Sequence, residues 1–262
     1  NNRPKIHDGR FRNRAVTDLF EPGSTIKSFN IALALESGKY TPNSTIDTNP
    51  GWMMVGGYRI KDDGLNYGVI NLTQVLQKSS NIGAAKIMLS LHPQQYWTLL
   101  HNMGFGERTK SGFPGEASGT LVKRDEWRPS VVATLAYGYG IAITALQLAH
   151  AYAILANDGV DVPVSFVKVS DPPLGERVLR SDVASEVVSM LQAVVQKGGT
   201  GSRARIEGYH VAGKTGTAYI ATSRAYDKHR YVSSFVGMAP ASDPQLVVAV
   251  VVREPKGQHF GG

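Results

Sequence analysis

Residues 231–253 read YVSSFVGMAPASDPQLVVAVVVR, and this stretch decides the fold. Two runs rich in β-branched and aromatic residues, 231–239 and 246–253, flank Pro240-Ala241-Ser242-Asp243-Pro244. Proline, serine and aspartate between apolar runs make a turn, so the runs predict consecutive antiparallel strands. A third strand-like run, 209–220, precedes them. Upstream the pattern turns helical, with a helix over 182–196 stopped by Gly198-Gly199 and a short strand over 165–169. Residues 131–156 contain no Asp, Glu, Lys or Arg, yet Gly138, Tyr139, Gly140, Thr144, Gln147 and His150 are too polar and flexible for a lipid-facing span. This segment predicts a buried loop and then a buried helix, opened by the Thr144-x-x-Gln147 capping box and stopped at Asn157-Asp158-Gly159.

Nearer the start, helical patterns cover 72–78, 82–91 and 93–103, and a hairpin pairs 52–55 with 58–61 around Gly56-Gly57. A further helix begins near Thr25 and ends at Ser37-Gly38. Residues before Asp18 are expected to be loose, 104–130 to be loop, and the charged run 224–230 to be a solvated mobile loop. Helices in the middle and strands at the end give an α/β (α+β) fold, an antiparallel sheet flanked by helices.

The 262 residues fit one large domain or one compact two-lobed unit. A hydrophobic fraction of 42% against 19% charged is globular and leaves little for disorder. The net charge of +7 suits an anionic substrate or membrane surface, but no Lys/Arg stripe with interleaved aromatics argues for nucleic acid. Without cysteine, disulfides, zinc-thiolate sites and thiol nucleophiles are excluded. His92, His101, His150 and His210 show no ligand spacing, so neither metal nor cofactor is expected. Residues 1–14 are polar and basic, unlike a secretory signal.

The chemistry sits in three short motifs. In Pro22-Gly23-Ser24-Thr25-Ile26-Lys27, the i, i+3 spacing puts Ser24 and Lys27 on one helix face. Proline and glycine place Ser24 at the helix N-terminus, where free N–H groups favour developing negative charge. Ser79-Ser80-Asn81 lies between two helical runs, where a bend can aim a hydroxyl and an amide into a cleft. Ser79 and Asn81 as ordinary helix caps is the plainer explanation. Lys214-Thr215-Gly216-Thr217 lies on a strand; Gly216 would let a substrate backbone approach, and Thr215 and Thr217 share a face.

Each motif alone is weak, because S-x-x-K arises by chance about once in a chain this long. Ser165-Phe166-Val167-Lys168 repeats the first pattern in a strand-like setting, where i and i+3 face apart. Ser28-Phe29-Asn30 repeats the second inside a helix, and Lys110-Ser111-Gly112 mimics the third in a loop. Only the set at 24, 79 and 214 has each member in the local structure that its role requires. That ordered set resembles the penicillin-recognising serine enzymes. The run from Arg12 to Ser24, Tyr137-Gly138-Tyr139-Gly140, Thr144-Ala145-Leu146-Gln147-Leu148 and Ala239-Pro240-Ala241-Ser242 resemble a class B penicillin-binding protein of the division type.

The resemblance implies a sheet with an added all-helical lobe, as in serine β-lactamases and penicillin-binding transpeptidases. Residues 1–262 would form the transpeptidase domain without the family's early strands and C-terminal helix. It implies a peptidoglycan D,D-transpeptidase of septal wall synthesis, anchored at the periplasmic face of the inner membrane by an N-terminal helix absent from this chain. Its partners would be stem peptides, β-lactams and, through regions missing here, other division proteins. Ser24 would be the nucleophile and Lys27 its base. A charged Lys214 about 4 Å away at an effective dielectric near 20 repels a second ammonium by about 4 kcal/mol, lowering the neighbour's pKa by about 3. Lys27 is thus expected to be neutral and Lys214 cationic, with Ser79 as relay. Lys214, Thr215 and Thr217 would seat the substrate carboxylate, Asn81 would hold the peptide amide, and the Ser24 and Thr217 N–H groups would form the oxyanion hole. Tyr139 either lines the cleft or is a buried aromatic. A D,D-carboxypeptidase, a serine β-lactamase and a β-lactam sensor domain share the motif set.

Overall fold

The computed structural model describes residues 12–63, 66–123, 125, 127–171, 173–222 and 225–256. It opens on a one-turn helix, α1 (Arg14–Thr17), capped by the Asn13 side chain, while Arg12 pairs with Asp18 at 2.6 Å. The segment expected to be loose is therefore fixed from Arg12 onward; residues 1–11 lie outside the described residues. A 3-10 turn, Gly23–Ile26, runs directly into α2 (Lys27–Glu36). Every residue from Lys27 to Leu35 is buried. A helix buried on all sides belongs at the centre of a molecule, and α2 occupies that place.

Around it the helical part continues through small ladders and short helices. β1 (Thr45–Asp47), the hairpin β2 (Trp52–Val55) and β3 (Tyr58–Lys61), and β4 (Val69–Asn71) precede α3 (Leu72–Gln77), α4 (Asn81–Leu89) and α5 (Pro93–Asn102). β1 pairs antiparallel with β4, an association the sequence did not suggest. Helix α3 starts at a capping box in which Gln74 N–H donates to Asn71 Oδ1 and Asn71 N–H to Gln74 Oε1. Beyond the loop after α5 lie β5 (Thr120–Leu121), α6 (Pro129–Leu135), β6 (Ile141–Ala142), α7 (Ala145–Ala156), β7 (Val160–Asp161) and β8 (Glu176–Arg177). Helix α7 carries the expected Thr144–Gln147 box. The expected loop over 131–143 instead begins inside α6, since Pro129 in the first turn has its φ preset for a helix and its missing N–H costs nothing there.

The expected strand over 165–169 does not form. Phe166, Val167 and Val169 are exposed, and Ser165 Oγ closes a local turn by bonding both Val167 N–H and Val167 O. Strands in this region need a partner, and the available pairing is β7 with β8 on either side. α8 (Ser181–Val195) then leads to the sheet of β9 (Ala212–Ala221), β10 (Tyr226–Ala239) and β11 (Leu246–Arg253). Its order is β11-β10-β9, antiparallel throughout, with Phe235 opposite Thr215 on one side and Val250 on the other. The run 224–230 was expected to be loop. From Tyr226 it is strand, tied to Ala221 across an irregularity between Asp227 and Tyr231, and Arg224 lies outside the described residues.

Helices α7 and α8 pack on the sheet, and the Gly23–Ile26 turn packs on β9. Phe29 of α2 meets Phe105 and Tyr152 edge to face at 5.4 and 5.3 Å. The Tyr152 hydroxyl donates to Thr25 O at 2.7 Å, and Asn30 Nδ2 donates to Ala136 O at 2.6 Å. These bonds fix the first turns of α2 against both halves of the molecule, so the Ser24 segment is held on a rigid support.

Candidate active site

Ser24 sits in the 3-10 turn that begins at Gly23, where φ is +55°, a left-handed value that only glycine adopts without strain. One turn on, Lys27 is fully buried, and its Nζ donates to Ser24 Oγ at 2.9 Å. The same ammonium position also faces Ser79 O at 2.6 Å, Asn81 Oδ1 at 2.7 Å and Ser79 Oγ at 3.3 Å. Four oxygens thus surround a group with at most three protons.

Ser79 is a non-glycine residue at φ +58° between α3 and α4. Such backbone strain needs outside support. Asp62, only 3% exposed at the end of β3, supplies it by accepting from Ser80 Oγ at 2.8 Å, Asn81 N–H at 2.6 Å and Ile82 N–H at 3.1 Å. A carboxylate there also meets the positive end of the α4 dipole. Ser80, not Ser79 or Asn81, caps α4, through Gly83 N–H at 2.9 Å. Ser79 and Asn81 are left to face Lys27. Asn81 Nδ2 also donates to Lys61 O at 3.1 Å.

From the other side β9 brings Lys214, fully buried, with Nζ donating to Ser79 Oγ at 3.1 Å and to Thr215 O at 3.2 Å. One hydroxyl therefore lies between two lysines. At Gly216 a Cβ would lie 2.6 Å from Pro22 O and 2.9 Å from Thr25 Cγ2. The missing side chain lets β9 close on the turn that carries Ser24. A Cβ on Gly23 would likewise lie 2.6 Å from Thr217 O and 3.2 Å from Thr217 N. Thr215 Oγ1 lies 2.7 Å from Thr200 Oγ1.

Residues 1–262 match the family described as the penicillin binding protein transpeptidase domain. The chain belongs to this family. It is 43% identical over 263 residues to the probable peptidoglycan D,D-transpeptidase PbpC of Pseudomonas aeruginosa, covering 100% of this chain and 46% of that protein. It is 38% identical over 252 residues to the peptidoglycan D,D-transpeptidase FtsI of Escherichia coli, covering 96% of this chain and 42% of that protein. The chain thus spans less than half the length of these relatives. The apo structure of the TP domain of Burkholderia pseudomallei penicillin-binding protein 3 superposes with a TM-score of 0.92 at 46% identity, covering 96% of this chain and 76% of that one.

In this penicillin-binding transpeptidase domain, burial lowers Lys27 from its ordinary value to about 7, while Asp62 and Asp63 pull it back upward. Burial, followed by the charge of Lys27, holds Lys214 well below the usual lysine range. Both buried lysines are thus held below the ordinary lysine range. Lys27 has carboxylates nearby and the larger set of acceptors, so it keeps a proton more readily than Lys214. The cost should be measurable. The unfolded chain binds more protons than the folded one between the lowered pKa and about 10.4, so stability rises with pH across that window. Lys214→Met is expected to stabilise the fold near pH 7, with the gap shrinking toward pH ~10. Urea melts at both pH values check this; a destabilised variant, or a gap independent of pH, would contradict it.

Tyr139 is half-buried and packs edge to face with Tyr137 at 5.7 Å and Tyr226 at 5.0 Å, and burial pushes its phenol up to about 12. Its hydroxyl accepts from Tyr219 N–H at 3.1 Å, which joins the 137–140 segment to the far end of β9. Beside it Glu21 accepts from Gly140 N–H at 2.8 Å and the Tyr226 hydroxyl at 2.9 Å, and burial raises its carboxyl. Sequence reasoning missed Glu21, Asp62, Ser80 and Thr200. The signal for Ser80 was its place before α4; the other three depend on partners far along the chain. His92 caps α5, His101 stacks on Trp97, and His150 pairs with Asp161 at 2.6 Å. Among the described residues no group of three or more His, Cys, Asp or Glu could hold a metal ion, and no helix is long and apolar enough to cross a membrane.

Proposed function

We propose that this chain is the acyl-transferring part of a peptidoglycan D,D-transpeptidase, with Ser24 as nucleophile. The observation that carries this reading is one continuous relay: Ser24 Oγ, Lys27 Nζ, Ser79 Oγ and Lys214 Nζ lie within hydrogen-bond reach in succession. Hydroxyl and amine alternate along it, so a proton can pass in either direction without water.

The donor is a stem peptide ending in D-Ala-D-Ala, whose carboxylate is seated by Lys214, Thr215 and Thr217. An anion beside Lys214 favours its charged form. The proton reaches it from Lys27 through Ser79 Oγ, and the new cation then opposes reprotonation of Lys27. Docking thereby produces the neutral amine that the reaction needs. Lys27 takes the Ser24 proton as Oγ attacks the carbonyl between the two D-alanines. Backbone N–H groups of Ser24 and Thr217 hold the oxyanion. The C–N bond breaks, the departing D-alanine amine takes the proton through Ser79, and an ester on Ser24 remains. An acceptor amine then attacks that ester, its proton returns along the relay to Ser24, and the cross-link forms. Asn81 orients Lys27 through Oδ1 and keeps its second amide N–H for the peptide. Tyr139 borders the donor groove. A β-lactam enters the same path and stops at the ester.

The division-type features upstream of Ser24 support a place in septal wall synthesis at the periplasmic face of the inner membrane. Intact mass spectrometry with benzylpenicillin, followed by peptide mapping, tests the core of the reading. One adduct per chain, mapped to Ser24, is expected. An adduct on Ser165, or labelling that survives Ser24→Ala, would overturn the assignment. Release of one D-alanine with amine-dependent product separates transpeptidase from carboxypeptidase.

A further inference from the structure

Residues 198–201 (Gly-Gly-Thr-Gly) follow α8 and belong to none of the three motifs, yet they touch the third and the two residues immediately before the second. Thr200 N–H donates to Gln77 O at 3.2 Å, and Lys78 Nζ donates to Gly198 O at 3.2 Å, immediately before Ser79. Gly201 N–H donates to Val194 O at 2.9 Å, which ties the segment back to α8. Fixed in this way, Thr200 remains exposed itself and points Oγ1 at the buried Thr215, 2.7 Å away.

We propose that Thr200 is a positioning residue for substrate-carboxylate recognition, acting through the Thr215 hydroxyl. The proposal rests on the reading of Lys214 and Thr215 as the carboxylate seat. A hydroxyl has one proton and a carboxylate only accepts, so a serviceable seat needs that proton directed outward. A lone Thr215 could spend its proton on a nearby carbonyl. When two hydroxyls share one hydrogen bond, one proton is used between them and one stays available. With Thr200 as donor, Thr215 Oγ1 accepts and its own proton is free for the incoming anion, where a charge-assisted bond forms. The anchoring of Thr200 beside Gln77 also holds this hydroxyl pair at a fixed distance from the Ser79 bend, so the carboxylate seat and the proton relay keep one geometry.

The test compares acylation of the full chain by benzylpenicillin and by its methyl ester, which lacks the anionic carboxylate. The wild-type chain should prefer the acid. Thr200→Val should cut the acid-to-ester ratio of acylation rate constants about tenfold, the typical worth of a hydrogen bond to a charged group. Thr200→Ser should restore the ratio to within about twofold. Ester acylation reports whether the variant site is folded, so a general loss of structure lowers both rates and leaves the ratio. An unchanged ratio in Thr200→Val, or one not rescued by serine, overturns the proposal. A wild-type chain that acylates Ser24 without preferring the acid removes the carboxylate seat itself, and the role of Thr200 with it.

Discussion

Lys27→Met is expected to slow acylation of Ser24 by about 10²–10⁴-fold, the range that general-base catalysis contributes. Methionine keeps most of the volume in a site where the native side chain is fully buried, so the loss should appear in the chemical step. Non-covalent capture of a β-lactam should change little, because the variant retains Lys214, Thr215 and Thr217. The wild-type profile carries its own signature. With Lys27 lowered to about 7 mainly by burial, the neutral fraction grows as pH rises through that value. The second-order acylation rate constant reports groups of the free protein, so it should climb between about pH 6 and 8 and then level. Single-turnover acylation across this range, for wild type and variant, measures both effects. A variant within about tenfold of wild type, or a wild-type rate that falls as pH rises, would remove Lys27 from the role of base.

What could be read in the sequence was local. Ser24 and Lys27 are one turn apart, and turn spacing alone brings their side chains together at 2.9 Å. The strands around 231–253 needed only alternation and the turn residues between them. The Thr144–Gln147 cap is likewise complete within four residues. Failures came where a decision lay elsewhere in the chain. Asp62 stands 18 residues before Ser80, and no pattern joins a charged hairpin end to a helix start. The pairing of Tyr226 with Ala221 makes a charged run into strand, since an exposed strand end is held by its ladder and needs no apolar face. Residues 165–169 had the right alternation but no neighbour to pair with. The charge states of the two lysines could be bounded from pairwise repulsion but not ordered, because the order depends on burial and on Asp62 and Asp63. Gly216 was legible as a close-approach position, while the atom that approaches, Pro22 O, was not.

Once formed with benzylpenicillin, the adduct on Ser24 should outlast removal of the free drug by hours. Hydrolysis needs a base that can activate water against the ester, and class A β-lactamases use a glutamate between the second and third motifs. Among the described residues of that interval, the carboxylates are committed or displayed elsewhere. Glu116 accepts from Thr109 N–H at 2.7 Å and Ser111 Oγ at 3.1 Å. Asp161 pairs with His150, Asp182 pairs with Arg180, and Asp158 accepts from Ser185 Oγ. Asp125, Asp171, Glu176 and Glu207 are exposed. Glu107 is 3.8 Å from His101, Glu186 belongs to α8, and Glu126 lies outside the described residues. Asp62 is nearer the lysines, but its oxygens hold Ser80, Asn81 and Ile82. Glu21, three residues before Ser24, has Oε1 engaged by Gly140 and Tyr226 and Oε2 sealed from solvent. Deacylation by water should therefore forgo the roughly 10²- to 10⁴-fold that a positioned base provides. Intact mass spectra recorded over hours after rapid desalting follow the adduct directly. Fast return to the unmodified mass, with many equivalents of hydrolysed penicillin per chain, would instead identify a β-lactamase and require a water-activating group at Ser24.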